Sequence, residues 1–170
     1  MRTTTRVSAA LAMLLSLAAS TARAQSANIN ATATVYQAMT VTGARTLDFG
    51  NVFPGVNKAV AVTDATSGRF DLVGQAAANV NLTFTLPANL TSAGNNLPVG
   101  TWTGCWNPTA NNSASGCTAF TPSGSASAVA FGGSSGTSNM WVFVGATVSP
   151  GAAQVAGTYT GTVTLTAAYF

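Results

Sequence analysis

The last stretch of the chain, GTYTGTVTLTAAYF, alternates strictly between two kinds of side chain. Small or apolar residues occupy every second position from Tyr159 to Tyr169, and threonines fill nearly all of the positions between them. This period of two is typical of a β-strand with one face buried and the other in solvent. No turn or return strand follows in the sequence. We therefore expect one edge of this strand to need a partner from elsewhere, because exposed strand edges are normally covered.

The first 24 residues have the layout of a secretory signal peptide. Arg2 and Arg6 form a basic start, residues 7–20 form an apolar stretch, and Ala-Arg-Ala at 22–24 is an A-x-A cleavage site. This apolar stretch is too short for a membrane span, and no later segment reaches the roughly 18 apolar residues that a span needs. We assign residues 1–24 to a signal peptide and expect the rest of the chain to be exported.

The charge of the chain is concentrated in this signal. Arg2, Arg6 and Arg23 account for the whole formal net charge of +3, so the remainder is formally neutral. No charged side chain follows Asp71. A basic patch, which is the electrostatic signature of nucleic-acid binding, is therefore not expected.

The rest of the chain consists of short strand-like runs bounded by turn residues, without a convincing helical period. Residues 27–35 alternate small or apolar side chains with asparagine and threonine, and NVNLTFTLP alternates in the same way. MWVFVGATV is apolar on both faces, as in a buried strand. The other runs are MTV, TLDFGNV, KAVAVT and RFDLVG. Strands of this length and spacing predict an all-β fold, an antiparallel β-sandwich.

Residues 88–138 differ from the rest in being rich in glycine, serine, asparagine and proline. We expect this segment to be mostly loop, with short strands at GTWTGCW and SAVAFGG. It contains both cysteines, Cys105 and Cys117. In an exported chain without histidine a disulfide between them is expected, with a chain-entropy contribution of about 3 kcal/mol. Two thiolates alone make only half of a zinc site, so no metal is expected.

The residues that carry enzyme chemistry are scarce. The chain has no histidine, and its only acidic residues are Asp48, Asp64 and Asp71. A serine nucleophile lacks its usual base, and we interpret the three aspartates as turn or strand residues rather than as a catalytic carboxylate pair. Neither a phosphate-binding loop nor a dinucleotide fingerprint is present. We predict a protein that is not an enzyme, with no catalytic residue, no cofactor and no small-molecule substrate.

The three tryptophans are candidates for a sugar-stacking surface. Trp141 lies in the apolar run MWVFVGATV, so we expect it in the core. Trp102 and Trp106 flank Cys105, and we expect both rings to pack against the disulfide.

Two segments can cover the open edge of the last strand: the first segment of the same chain, or that of another copy. Residues 25–37 are uncharged and carry five alternating small or apolar side chains, namely Ala27, Ile29, Ala31, Ala33 and Val35. Strand addition uses backbone hydrogen bonds for affinity and side-chain pockets for register. A contact with another copy would be head-to-tail and would generate a filament. The residues leave both arrangements open.

Four segments, taken in order, carry a resemblance to a known family: LDFGNVFPG, GRFDLVG, VNLTFTLP, and WVFVGATV followed by AGTYTGTVTLTAAYF. Together they resemble a bacterial exported family catalogued as domain of unknown function 4402, over residues 45–87 and 139–170. More loosely, the chain is similar to spore coat protein U and to the Csu-type pilins of chaperone–usher systems.

The resemblance to these pilins implies an immunoglobulin-like sandwich, residues 38–170, that lacks its last strand. In those systems a periplasmic chaperone, and then the N-terminal extension of the next subunit, supplies the missing strand, and an outer-membrane usher exports the product. Carried over, residues 25–37 are the extension, with the donor strand at Ile29 to Val35. The implied acceptor groove comprises Tyr159, Val163, Leu165, Ala167 and Tyr169. The protein would be a structural subunit of a fimbria on the cell surface.

Two other interpretations fit part of the pattern. A self-contained secreted sandwich, an adhesin or a carbohydrate-binding module, would pair its first strand within its own chain. An eight-stranded outer-membrane barrel suits the chain length and the terminal Phe170. In a barrel, however, Phe170 would face the lipid together with Thr164, Thr166 and Ala168. The more apolar face of this strand is the opposite one, which ends at Tyr169, and this argues against a barrel.

Overall fold

The computed structural model describes residues 24–109 and 113–170, and within these ranges it contains ten β-strands and no helix. The strands, in chain order, are β1 Thr40–Arg45, β2 Lys58–Val60, β3 Gly68–Gln75, β4 Asn79–Thr85, β5 Asn89–Ser92, β6 Asn95–Asn107, β7 Thr118–Phe120, β8 Ser127–Ala130, β9 Thr137–Val148 and β10 Thr164–Tyr169. The described residues contain no apolar helix of membrane-spanning length. Apart from Ala24, the predicted signal peptide lies outside the described residues.

The chain divides into two units, Met1–Thr34 and Val35–Phe170. In the first unit, the described residues 24–34 form no strand and their side chains are exposed. The second unit contains all ten strands.

The strands form two antiparallel sheets. The larger sheet has the order β1-β3-β9-β6-β5, with β2 paired to β9 and β7 paired to β6, and the smaller has the order β10-β4-β8. The two sheets pack face to face through a main core. The larger sheet contributes Leu72, Met140, Val142 and Val144, and the smaller contributes Val80, Leu82, Phe84, Val129 and Leu165. The predicted all-β antiparallel sandwich is confirmed.

Strand β9 lies at the centre of the larger sheet and is covered on both faces. Met140, Val142 and Val144 face the main core. Trp141 and Phe143, which have the opposite phase, pack in a separate cluster on the outer face. Two covered faces explain why this strand is an unbroken apolar run, and Trp141, only 9% exposed, is a core residue as predicted.

The outer cluster contains the disulfide. Cys105 and Cys117 are bonded, with their Cα atoms 5.7 Å apart, as predicted. Trp102 and Trp106 do not belong to this cluster but pack against the main core. The prediction that they pack on the disulfide is wrong, because in β6 they have the opposite phase to Cys105.

The prediction that residues 88–138 are mostly loop is also wrong. This segment supplies β5, β6, β7 and β8, and the 13 residues of β6 make it a principal strand of the larger sheet. A bulge breaks its sequence pattern, since its register with β9 shifts between Gly100 and Thr103. Thr101 in this bulge has φ 49°, which a β-branched residue rarely adopts.

Two shorter predicted runs also differ from the structure. Residues 46–52 form no strand, because Asp48 Oδ1 accepts a hydrogen bond from the Gly50 amide at 2.8 Å and Gly50 adopts φ 62°, a turn conformation. In KAVAVT only Lys58–Val60 pairs, and a turn follows in which Asp64 Oδ2 accepts from the Ala61 amide at 2.8 Å. Asp64 is therefore a turn residue, as interpreted, whereas Asp48, which was expected in a strand, lies in a turn.

Candidate functional site

Among the described strands, the last one, β10, is paired along one edge only. It is antiparallel to β4 from Thr164, opposite Thr85, to Tyr169, opposite Val80. Within the described residues no strand pairs with its other edge. Leu165 is 8% exposed, and the residues with its phase point inward while the threonines face solvent. The predicted alternation is therefore confirmed for Thr164–Tyr169.

The preceding residues, 159–163, leave the sheet. Strand β4 ends at Thr85 and is soon followed by Pro87, which has no amide hydrogen to donate to a neighbouring strand. The chain then enters β5 in the larger sheet, where Thr91 forms a two-way backbone bridge with Thr160, at 2.8 and 3.0 Å. The last strand is therefore shorter than the sequence predicted.

A groove of about 1000 Å³ lies beside residues 159–163. Residues 46–54 form one wall and residues 154–163 form the other. Its lining includes Leu97 and Val144, which are buried core residues. The groove therefore opens directly onto the apolar interior of the sandwich.

The groove lies where two cores meet. A second core cluster, built on Leu97, Val99, Ala146 and Val148, lies beneath it. Trp102 packs against both this cluster and the main core, and it lines the groove. An occupant of the groove would thus contact the apolar side chains of both cores.

The charged side chains at the groove are engaged with neighbours. Arg45 donates from Nε to the Ser67 carbonyl oxygen and from a terminal nitrogen to Ser67 Oγ, both at 2.6 Å. Arg69 pairs with Asp71, with Nε and Oδ1 2.8 Å apart. Since these charges have partners and the deeper lining is apolar, the groove suits an uncharged occupant.

The five predicted acceptor residues are divided among three places. Tyr159 and Val163 line the groove. Leu165 belongs to the main core, against which Ala167 packs. Tyr169 lies at the far end of β10, with its ring centroid 6.5 Å from that of Phe131.

Sequence reasoning missed most of the groove lining. The wall 46–54 and the residues Leu90, Leu97 and Trp102 were not predicted as part of a site. One signal was available: LDFGNVFPG has four large apolar side chains in a stretch that contains turn residues and lacks strict alternation. Such a segment is typical of a loop that presents apolar side chains.

The predicted donor residues lie in an exposed segment that precedes the first strand. Residues 24–39 form no strand, and Ala27, Ala31 and Ala33 are exposed. Ile29 is 94% exposed and Val35 is 90% exposed. The two large apolar side chains of this segment are therefore in solvent.

Comparison with known proteins gives one match. A family model described as "Domain of unknown function (DUF4402)" matches residues 39–169, a range that includes all ten strands and the groove. No curated protein matches the chain.

Proposed function

The chain belongs to the DUF4402 family, and from that premise we propose that it is a structural subunit of a bacterial surface fimbria, assembled by donor-strand complementation. One observation carries the proposal. In the part of the chain that the structure describes, a groove of about 1000 Å³ opens onto the apolar interior beside a last strand that is hydrogen-bonded along one edge only. A strand added at this edge would satisfy its free backbone groups and fill the groove.

The proposed occupant is the donor part, residues 27–35, of the extension of a second copy. The segment is uncharged and its apolar side chains occupy alternate positions, so one face of the added strand would enter the groove. Full burial of Ile29 and Val35 would contribute about 1.5–3 kcal/mol each, and each alanine about 0.8 kcal/mol. Each backbone hydrogen bond to the free edge would add about 1 kcal/mol.

This pairing produces an open assembly. The extension and the groove are different surfaces of the same chain, so each joint is head-to-tail. A head-to-tail contact that does not close on itself generates a filament. The product we propose is a fimbria made of many copies of this chain or of related subunits.

Export precedes assembly in this proposal. The predicted signal peptide would direct the chain to the periplasm, where a chaperone would cover the groove before an outer-membrane usher joins the subunits at the cell surface. The proposed role is purely structural and involves neither catalysis nor a cofactor.

One observation favours a second function, a self-contained carbohydrate-binding module. Phe70, Trp102 and Tyr159 all line the groove, and flat apolar faces beside polar groups are a common way to bind ligands such as sugars. In that case the extension would be unnecessary for the groove to function.

Deletion of residues 25–36 tests the main proposal. The chain is exported with its own signal, with and without this segment, and samples are run on denaturing gels with and without boiling. Heat-resistant multimers are expected from the complete chain and only chaperone-bound or single subunits from the deletion. Multimers that persist after the deletion would contradict the proposal.

Point variants supply a matched control. Ile29→Asp places a charge on the apolar face of the extension, whereas Asn30→Asp places the same charge on its polar face. Loss of multimers is expected for the first variant only, since a charge in the apolar groove would be desolvated without a partner. Equal loss in both would show that the apolar face is not what binds.

A further inference from the structure

The last two residues of the extension, Tyr36 and Gln37, are held at one end of the sandwich. The Tyr169 hydroxyl accepts a hydrogen bond from the Gln75 amide at 2.8 Å and donates one to the Gln37 carbonyl oxygen at 3.1 Å. The Tyr36 ring meets the Tyr169 ring edge-on, with centroids 5.4 Å apart. The Thr137 hydroxyl donates to Gln37 Oε1. We refer to Tyr36, Gln37, Thr137 and Tyr169 as the terminal clamp.

The terminal clamp is anchored in both sheets. Tyr169 belongs to β10 of the smaller sheet, and Thr137 and Gln75 belong to β9 and β3 of the larger sheet. Gly74 allows the close approach of Tyr169, because a Cβ atom at that position would lie 2.5 Å from the tyrosine hydroxyl. Residues 36 and 37 are thus held against β9 and β10 of the sandwich.

The terminal clamp and the groove lie at opposite ends of the sandwich. Strand β3 begins at Gly68, which lines the groove, and ends at Gln75, which bonds the clamp tyrosine. Its eight residues separate the two ends by about 23 Å, at roughly 3.3 Å per residue. Strand β9 gives the same arrangement, with Thr137 at the clamp and Val144 at the groove.

We infer that the terminal clamp sets a stiff joint between successive subunits, the partner being a second copy of this chain. This inference rests on the proposed function. Val35, the last candidate donor residue, directly precedes Tyr36, so no flexible linker separates the inserted strand from the clamped residues. Linker length and composition set how freely two joined domains move relative to each other. Without a linker, the orientation of each subunit relative to its neighbour is fixed.

The test is the stiffness of the filaments, measured as persistence length on electron micrographs. One variant carries Tyr36→Ala and Tyr169→Phe, which remove the ring contact and the hydroxyl bonds. A second variant has Gly-Ser-Gly-Ser inserted between Val35 and Tyr36. The insertion leaves every clamp residue unchanged, so it is informative even if the first variant does not fold. Thr118→Val, on the exposed surface of β7, is the control.

We expect the persistence length to fall to about half or less in both variants, as a flexible linker would cause. The control should match the unmodified chain, and all four chains should form multimers. Filaments of unchanged stiffness in the insertion variant would overturn the inference and leave the proposed function intact. An unmodified chain that forms no multimers would overturn the proposed function and the inference with it.

Discussion

Strands β9 and β10 are both recognisable in the sequence, yet they occupy different environments. Strand β9 has partners on both edges and apolar neighbours on both faces. Within residues 24–109 and 113–170, strand β10 has one partner, β4, and one covered face. The side-chain pattern distinguishes the faces, since β9 is an apolar run and β10 alternates. The side-chain pattern does not show whether the edge of a strand is paired, because a strand edge consists of backbone groups that are common to all residues.

This difference bears on function because an edge is where another strand binds. The larger sheet buries its central strand, β9, on both faces. The open edge of β10 and the neighbouring groove contribute an attachment site. Variants in the two strands should therefore separate stability from assembly.

The largest effect is expected from a charge at the centre of β9. Val142 is fully buried, and Val142→Asp would place an unpaired carboxylate in the main core. We expect a loss of more than about 4 kcal/mol in the free energy of unfolding, so that little folded protein accumulates. Circular dichroism of the exported chain measures this. A folded, cooperative variant would show that the core of β9 is not essential.

The disulfide should rank next, because it helps to cover the outer face of β9. Cys105→Ser together with Cys117→Ser should lower the free energy of unfolding by about 3 kcal/mol, mainly because the unfolded chain gains freedom. Urea denaturation of the double variant provides the measurement. The unmodified chain denatured under reducing conditions is the control and should give the same midpoint. An unchanged midpoint in both would contradict the expectation.

Truncating a side chain of β10 should lower the free energy of unfolding by a smaller amount. Leu165→Ala removes a side chain that is 8% exposed from a strand with one covered face, and we expect a loss of about 2 kcal/mol, at the low end for buried leucines. The same denaturation experiment applies. A loss equal to that of Leu72→Ala in β3 would show that β10 is as tightly packed as the larger sheet.

The smallest effect is expected on the outer face of β10. Thr166 is exposed, and Thr166→Ala should change the free energy of unfolding by no more than about 0.5 kcal/mol. Comparison of this variant with Leu165→Ala isolates the contribution of the inward-facing side chains of β10 to the free energy of unfolding. A larger loss would indicate that the threonine face is itself covered.

The sequence predicted the sandwich and its regular strands well. RFDLVG, NVNLTFTLP and MWVFVGATV correspond to β3, β4 and β9, because each keeps one pattern along its whole length. The short strand expected at GTWTGCW forms part of β6, but the full 13 residues of β6 escaped prediction because Pro98, Gly100 and the bulge at Thr101 interrupt its pattern. It is stabilised by pairing with β9, a long-range contact that local composition does not encode.

The candidate site was less predictable than the fold. The alternation from Tyr159 to Tyr169 predicted one uniform strand, but only the second half pairs with β4, because β4 ends at Thr85, and Thr160 instead bridges Thr91 of β5. The groove walls come from loops, 46–54 and 154–163, whose proximity depends on the topology of both sheets. The sequence thus predicted that an edge would need a partner, but not where the apolar groove beside it would lie.

The most direct test of the central claim determines whether Ile29 binds in the groove of its own chain or in the groove of another copy. A photo-crosslinking amino acid at position 29 is incorporated into an equal mixture of isotopically light and heavy chains, and mass spectrometry identifies the crosslinked peptides. The account predicts crosslinks from position 29 to peptides containing Trp102 or Val163 of the other isotopic form, in multimer bands. Crosslinks to the same peptides within one chain, in the monomer band, would contradict it.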